Sequence, residues 1–194
     1  MPQYSNADIA ALTEKMATER AALFAIVESL TEELADAVPQ NAVGEEQWTA
    51  KEQLAHLLES DRMHVNFARA ALEQNGADIT GLRTALGEGV AIPIEDAPDH
   101  SIPEIVAAMQ EERDRALAFI ATLSLSDFER TAKDNEFGEL TVMQWLRSLY
   151  RHDRQHAAQI QSRPSDYEPR YLSGKEPEQR LARIAKRKAR QAST

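Results

Sequence analysis

Two histidines one helical turn apart are the residues of this sequence best placed to do chemistry. His152 and His156 stand four positions apart, and on an α-helix such residues share one face, with Cβ atoms about 6 Å apart. Two imidazoles in that position could share one metal ion, since imidazole is a common ligand of zinc, nickel and iron. The same spacing also occurs in pairs that are only solvated or packed, so the motif leaves both interpretations open.

A third histidine on a facing helix would complete an open metal site, and His56 is the candidate. It lies on an apolar-flanked stripe of a helix that is hydrophobic on two sides, as expected near the middle of a bundle. A lone histidine in such a place can equally be a satisfied core residue. His64 lies about 80° round the same helix, too far to share the site easily. His100 falls in a loop-like region and is interpreted as a loop residue.

Two acidic residues accompany these histidines. Asp153 falls within the core stripe of its helix, where an uncompensated carboxylate is costly. We therefore expect it to orient a ligand imidazole, or to pair with an arginine such as Arg62 or Arg154. Glu59, about one turn beyond His56, is the acid/base candidate nearest to the site by helical spacing. An exposed glutamate on a charged band is the more ordinary interpretation of that position.

Composition favours helices and limits the possible chemistry. Among 194 residues there are only 7 glycines and 8 prolines, and Ala, Leu, Glu, Gln and Arg are abundant, which favours helix. No strand pattern is visible. The chain has no cysteine, so disulfides, thiolate ligands and a cysteine nucleophile are excluded. Any transition metal must therefore be held by His, Asp or Glu.

The net charge of −10 is unevenly distributed. Residues 1–162 carry 13 basic and 28 acidic side chains, whereas residues 163–194 carry 9 and 4. The acidic body argues against nucleic acid as its main ligand. The basic tail could contact an anionic surface, but a solvated charged helix or a frayed terminus explains it more simply. No signal peptide and no apolar run of about 18 residues is visible, so we expect a cytoplasmic protein without membrane association.

Hydrophobic periodicity and capping residues predict four long helices. They span roughly residues 5–30, 49–74, 101–123 and 141–162. A short extra turn follows the first helix and leads into a loop through Asn41 and Gly44. A long loop over residues 75–100 joins the second and third helices, and a long connection of this kind often lies over a site. The tail is expected to be helical again over 177–190.

The predicted fold is therefore all-α. Residues 1–162 should form one four-helix bundle. Residues 163–194 should form a basic, exposed C-terminal extension.

Three stretches of the sequence resemble the DinB/YfiT-like superfamily of DNA-damage-inducible proteins. Residues 48–57, Trp-Thr-Ala-Lys-Glu-Gln-Leu-Ala-His-Leu, are similar to the start of that family's second helix, with its Trp, capping Ser or Thr, and histidine. Residues 140–160, with the core His-Asp-Arg-x-His, resemble the family's fourth helix. The link over residues 125–130 fits the usual position before that helix. The resemblance covers roughly residues 5–162.

The resemblance implies a divalent metal, such as zinc or nickel, held by His56, His152 and His156. Family members with established activity include thiol-dependent S-transferases and a mycothiol-dependent isomerase. Many other members have no assigned activity, and members of the family are often dimeric. We therefore expect a metal-dependent S-transferase or hydrolase that acts on a small molecule and forms a homodimer. S-transfer would need an exogenous low-molecular-weight thiol. The alternatives are a non-catalytic metal-binding or stress-response bundle and a plain dimerisation module.

Overall fold

The structure is a computed structural model. It describes residues 3–38, 47–85, 89–167 and 169–174, with residues 185, 188, 189 and 192, and of residues 83–85 only the backbone. The predicted loop through Asn41 and Gly44 lies outside the described residues. So does most of the helix predicted over 177–190.

The four predicted long helices are confirmed, and the short turn after the first is also helical. The helices are α1 (Asn6–Val27), α2 (Glu32–Ala35), α3 (Ala50–Glu73), α4 (Ile102–Ile120) and α5 (Val142–Ile160). Capping boxes fix the helix starts. Before α3, the Thr49 hydroxyl accepts the N–H of Glu52 at 3.1 Å, and the Glu52 carboxylate accepts the N–H of Thr49 at 2.8 Å. These bonds satisfy backbone donors that the helix itself leaves unpaired.

Helix α3 lies in the middle of the bundle. It packs against both α4 and α5, and α1 packs against α5. The apolar core forms two clusters, one that includes Phe67 and Trp145 and one that includes Trp48 and Leu57. The hydrophobic residues on two sides of α3 are thus explained by neighbours on two sides.

A small three-stranded sheet was not predicted. Strand β1 (Ala77–Asp78) pairs in parallel with β2 (Thr131–Asp134), which pairs in antiparallel fashion with β3 (Gly138–Thr141). Gly138 has a φ of +80°, a conformation that glycine adopts without steric cost. The expectation of no strands was wrong because strands of two to four residues are too short to show an alternating pattern. Since β3 leads directly into α5, the hairpin fixes where that helix begins.

The connection between α3 and α4 contains two short 3-10 helices, Thr80–Ala85 and Ile94–Asp99. The second packs along α3. There the backbone N–H of Ile94 donates to the Glu59 carboxylate at 3.2 Å.

In the described part of the chain, no helix is both long enough and apolar enough to cross a bilayer. The expected cytoplasmic location and the expected homodimer stay predictions.

Four buried charged residues meet in the centre of the bundle, and we call them the buried ion cluster. They are Arg20 from α1, Asp61 from α3, Arg113 from α4 and Asp153 from α5, each no more than 2% exposed. Arg20 Nη2 lies 2.8 Å from an oxygen of each carboxylate. Arg113 Nη2 lies 2.9 Å from Asp61 Oδ2 and 3.0 Å from Asp153 Oδ2. Each charge is therefore compensated by two opposite charges.

Asp153 thus pairs with arginines, but not with the two that the sequence suggested. Arg62 forms an ion pair with Glu112 at 2.9 Å, and the exposed Arg154 contacts Asp166. Helical periodicity places Asp153 in the core, but it does not show which distant arginine reaches it.

We expect Asp61→Asn to lower the free energy of unfolding at pH 7 by about 3–5 kcal/mol, because it leaves two buried guanidiniums short of a counter-charge. Urea unfolding of the full chain measures this loss. The matched control is Asp114→Asn on the exposed face of α4, which should change stability by less than about 0.5 kcal/mol. Equal unfolding midpoints for the two variants would contradict the prediction.

The stability difference between Asp61→Asn and the wild type should also depend on pH. Burial alone would raise the pKa of Asp61, but the Arg113 and Arg20 guanidiniums outweigh burial and hold that pKa below its usual value. A depressed folded-state pKa contributes stability above the unfolded value of about 3.9, and this contribution is lost as pH falls through the folded value. The loss of unfolding free energy caused by Asp61→Asn should therefore stay constant between about pH 5 and 8 and become smaller only below about pH 4.

Candidate metal site

The three predicted histidines converge on one point between α3 and α5. Nε2 of His152 lies 3.3 Å from Nε2 of His56 and 3.0 Å from Nε2 of His156. The ligand atoms of the three residues all lie within 4.8 Å of one another. With zinc–nitrogen bonds of about 2.0–2.1 Å, two ligands of a tetrahedral site stand about 3.3 Å apart. The spacing of these nitrogens therefore fits a single metal ion.

Two helices position these ligands at different depths. His152 and His156 follow each other on one face of α5, and His56 approaches from α3. His156 is fully buried and His56 is 9% exposed, while His152 is half-buried. Backbone geometry within each helix is rigid, so the packing of α3 on α5 determines whether the three rings meet.

Gln53, which the sequence analysis did not single out, orients His156. Its amide nitrogen donates to the Trp48 carbonyl at 3.1 Å, so its amide oxygen faces Nδ1 of His156 at 2.9 Å. Nδ1 of His156 then carries the proton, and the lone pair of Nε2 points towards His152. The available signal was position, because Gln53 stands three residues before His56 and shares its helix face.

Asp153 does not take that orienting role. Its carboxylate accepts hydrogen bonds from Arg20 at 3.1 Å and from Arg113 at 3.0 Å, and none of its described hydrogen bonds reaches an imidazole. It follows His152 directly in α5, so the buried ion cluster fixes the helix that carries two of the three ligands.

The other two histidines lie outside the cluster, as expected. Nδ1 of His64 donates to the Ser60 carbonyl at 2.8 Å, and its ring packs 6.0 Å from that of Trp145, centroid to centroid. His100 lies just before α4, with 4.0 Å between its Nδ1 and a carboxylate oxygen of Glu104.

A cavity of about 960 Å³ is lined by His56 and His152, whereas the fully buried His156 is not among its lining residues. Its walls come from α3, the β2–β3 hairpin, α5 and the segment that follows α5. The described lining residues that bear on its chemistry are His56, Glu59, Met63, Glu136, Phe137, Leu140, Trp145, Arg151, His152, Asp166, Tyr167, Arg170 and Tyr171. The described part of the connection over 75–100 contributes no lining residue, and the expectation that this connection lies over the site stays a prediction.

Glu59 lines this cavity and is only 2% exposed. The ordinary interpretation, an exposed glutamate on a charged band, is therefore wrong. Its carboxylate accepts the backbone N–H of Ile94 at 3.2 Å, which holds it in place against the cavity wall. Its acid/base role stays a prediction.

The beginning of the C-terminal extension forms part of the cavity. The Tyr171 ring packs on Phe137 with centroids 5.1 Å apart, and the N–H of Leu172 donates to the Glu136 carbonyl at 2.6 Å. These contacts attach Tyr171 and Leu172 to the hairpin. The division of the chain at residue 162 stays a prediction.

Comparison with known proteins agrees with this architecture. No curated protein matches the chain. Among solved structures, YfiT from Bacillus subtilis, described as a probable metal-dependent hydrolase with an unusual four-helix bundle topology, is 19% identical, with a TM-score of 0.63 and coverage of 84% of this chain and 89% of that chain. This likeness confirms the predicted four-helix bundle. A family model of the DinB superfamily matches residues 15–160, which include His56, His152 and His156. The chain therefore belongs to the DinB superfamily.

Proposed function

We propose that this protein is a metal-dependent enzyme that hydrolyses a small molecule at His56, His152 and His156. The observation that carries the proposal is the convergence of three imidazole nitrogens, two of them from His56 and His152, which line a cavity of ligand size. The description of YfiT as a probable metal-dependent hydrolase supports it.

The donor set suits a catalytic metal. Three neutral imidazoles favour zinc or nickel and leave a coordination position for water or substrate. A bound divalent ion would lower the pKa of a water in that position towards about 7, or polarise a substrate carbonyl. The protein supplies the orientation, since Gln53 holds His156 and the Trp48 ring packs edge-on against His56 at 4.8 Å between centroids.

Glu59 is the proposed proton carrier. It stands one helical turn after His56 on the same cavity wall, and a buried carboxylate can accept a proton from a nucleophile and return it to a leaving group. Its hydrogen bond from the backbone N–H of Ile94 helps to orient the carboxylate.

S-transfer is the second candidate reaction. At about 960 Å³, the cavity is at the upper end of the range of about 300–1,000 Å³ for ligand pockets. Such a volume supports the simultaneous binding of an exogenous thiol and an electrophile. The chain has no cysteine, so the thiol must come from a small molecule.

The first test is metal content. We expect protein purified without a histidine tag to hold about one equivalent of zinc or nickel, and His152→Ala and His156→Ala to lose it, because two imidazoles bind too weakly. His100→Ala, outside the cluster, should retain the metal. Elemental analysis measures all four proteins. Equal retention in the three variants, or an empty wild type that added metal does not stabilise against heat, would remove the proposal.

The second test concerns Gln53. Replacing it by leucine removes the acceptor for Nδ1 of His156, so metal affinity should fall by about 10–100-fold. Gln53→Glu keeps an acceptor at the same place and should retain most of the affinity. Competition with a chromophoric chelator gives both values. Wild-type affinity in Gln53→Leu would show that this hydrogen bond does not support the site.

The third test addresses catalysis. With a panel of nitrophenyl esters and anilides, we expect Glu59→Gln to lower kcat by about 100-fold or more without loss of metal, because proton transfer is removed. Glu73→Gln, exposed at the end of the same helix, is the control. Turnover that requires and consumes an added thiol would favour S-transfer over hydrolysis. A metal-loaded protein inactive in both assays would indicate a non-catalytic bundle.

A further inference from the structure

Arg151 stands on the cavity wall directly before His152 in α5. It is half-buried, and its guanidinium carbon lies 5.6 Å from the ring centroid of Tyr167 and 5.9 Å from that of Tyr150. Within the described residues, no carboxylate lies at ion-pair distance from it. A cation that lies beside aromatic rings in a ligand cavity, with no counter-ion among the described residues, can bind an anionic group of the ligand.

The neighbouring charges indicate which anion fits. Asp166 also lines the cavity and contacts Arg154 on the exposed side of α5. Among the described lining residues three are acidic, Glu59, Glu136 and Asp166, and two are basic, Arg151 and Arg170. This excess of negative charge favours a monoanion over a dianion such as a phosphate monoester. A carboxylate carries a single charge, and its two oxygens match the paired N–H groups of a guanidinium.

The remaining wall includes a group of apolar and aromatic side chains beside polar ones. Met63, Phe137, Leu140, Trp145 and Tyr171 form the apolar part, which suits a hydrocarbon or aromatic body on the ligand.

Tyr167 adds a second donor beside Arg151. Burial raises the pKa of its hydroxyl above the ordinary value, although Arg151 opposes this effect. The hydroxyl therefore stays protonated at neutral pH and can donate a hydrogen bond. Tyr167 and Tyr171 both lie beyond residue 160, where the family match ends, so this part of the cavity belongs to the C-terminal segment.

We infer that Arg151, with Tyr167, binds the carboxylate of an apolar carboxylic acid whose reactive bond then lies at His56 and His152. This inference rests on the proposed function for the reactive end of the ligand. The carboxylate end is a binding determinant supplied by α5 and the C-terminal segment. Arg151 positions the substrate and takes no part in bond cleavage.

The experiment compares 4-phenylbutyrate with its uncharged amide, 4-phenylbutyramide, by titration calorimetry on the full chain. We expect 4-phenylbutyrate to bind the wild type, and Arg151→Gln to weaken this binding about ten-fold or more, because a charge-assisted hydrogen bond is lost. Arg147→Gln is the matched control, since Arg147 lies one turn earlier on α5, against the Tyr4 ring and outside the cavity lining. The amide should bind weakly, and its affinity should be the same for the wild type and for Arg151→Gln.

Titrations on both metal-free and zinc-loaded protein separate this inference from the proposed function. Without metal, a carboxylate cannot bind directly to the ion, so a dependence on Arg151 reports the guanidinium alone. Arg151-dependent binding by a wild-type chain that does not take up added zinc supports the inference and refutes the proposed function. Any one of three results overturns the inference, whatever the metal content. They are equal binding by Arg151→Gln and Arg147→Gln, equal binding of the acid and the amide, and no binding of 4-phenylbutyrate by the wild type.

Discussion

The buried ion cluster is the constraint on which the arrangement of this bundle depends. Each of the four long helices contributes one member, two positive and two negative, and none can be satisfied by water. A buried charge is tolerated only when its partners are in place, so a shift of any one helix would leave charges uncompensated. Hydrophobic contacts alone would tolerate such a shift more easily, because they are not directional.

The candidate metal site depends on this alignment. Asp153 follows His152 on α5, and Asp61 lies five positions after His56 on α3, so both ligand-bearing helices are fixed close to their ligands. Three imidazoles can serve one ion only if the two helices keep a common register to within a fraction of an ångström. The buried ion cluster and the three histidines therefore require the same position of α3 relative to α5. Gln53 in addition orients the ring of His156.

The cavity divides into regions of different origin. The helices and the hairpin that line it lie within residues 15–160, which the family match covers, whereas the segment after α5 that also lines it lies beyond that match. A rigid bundle can hold the reacting groups while a separate segment contacts the rest of the ligand. Such a division allows ligand preference to change without disturbing the metal ligands.

The sequence by itself determined the four helices, because hydrophobic spacing and capping residues act within one turn of the chain. It also placed His152 and His156 on one face and offered His56 as the third ligand, a choice that the family resemblance supported. Only the tertiary structure decided that Asp153 meets Arg20 and Arg113, that three short strands pair, and that residues after 162 line the cavity. The bond between Gln53 and His156 joins residues 103 positions apart. Contacts of this kind arise from the packing of whole helices. Local sequence patterns do not show which distant side chain will make the contact.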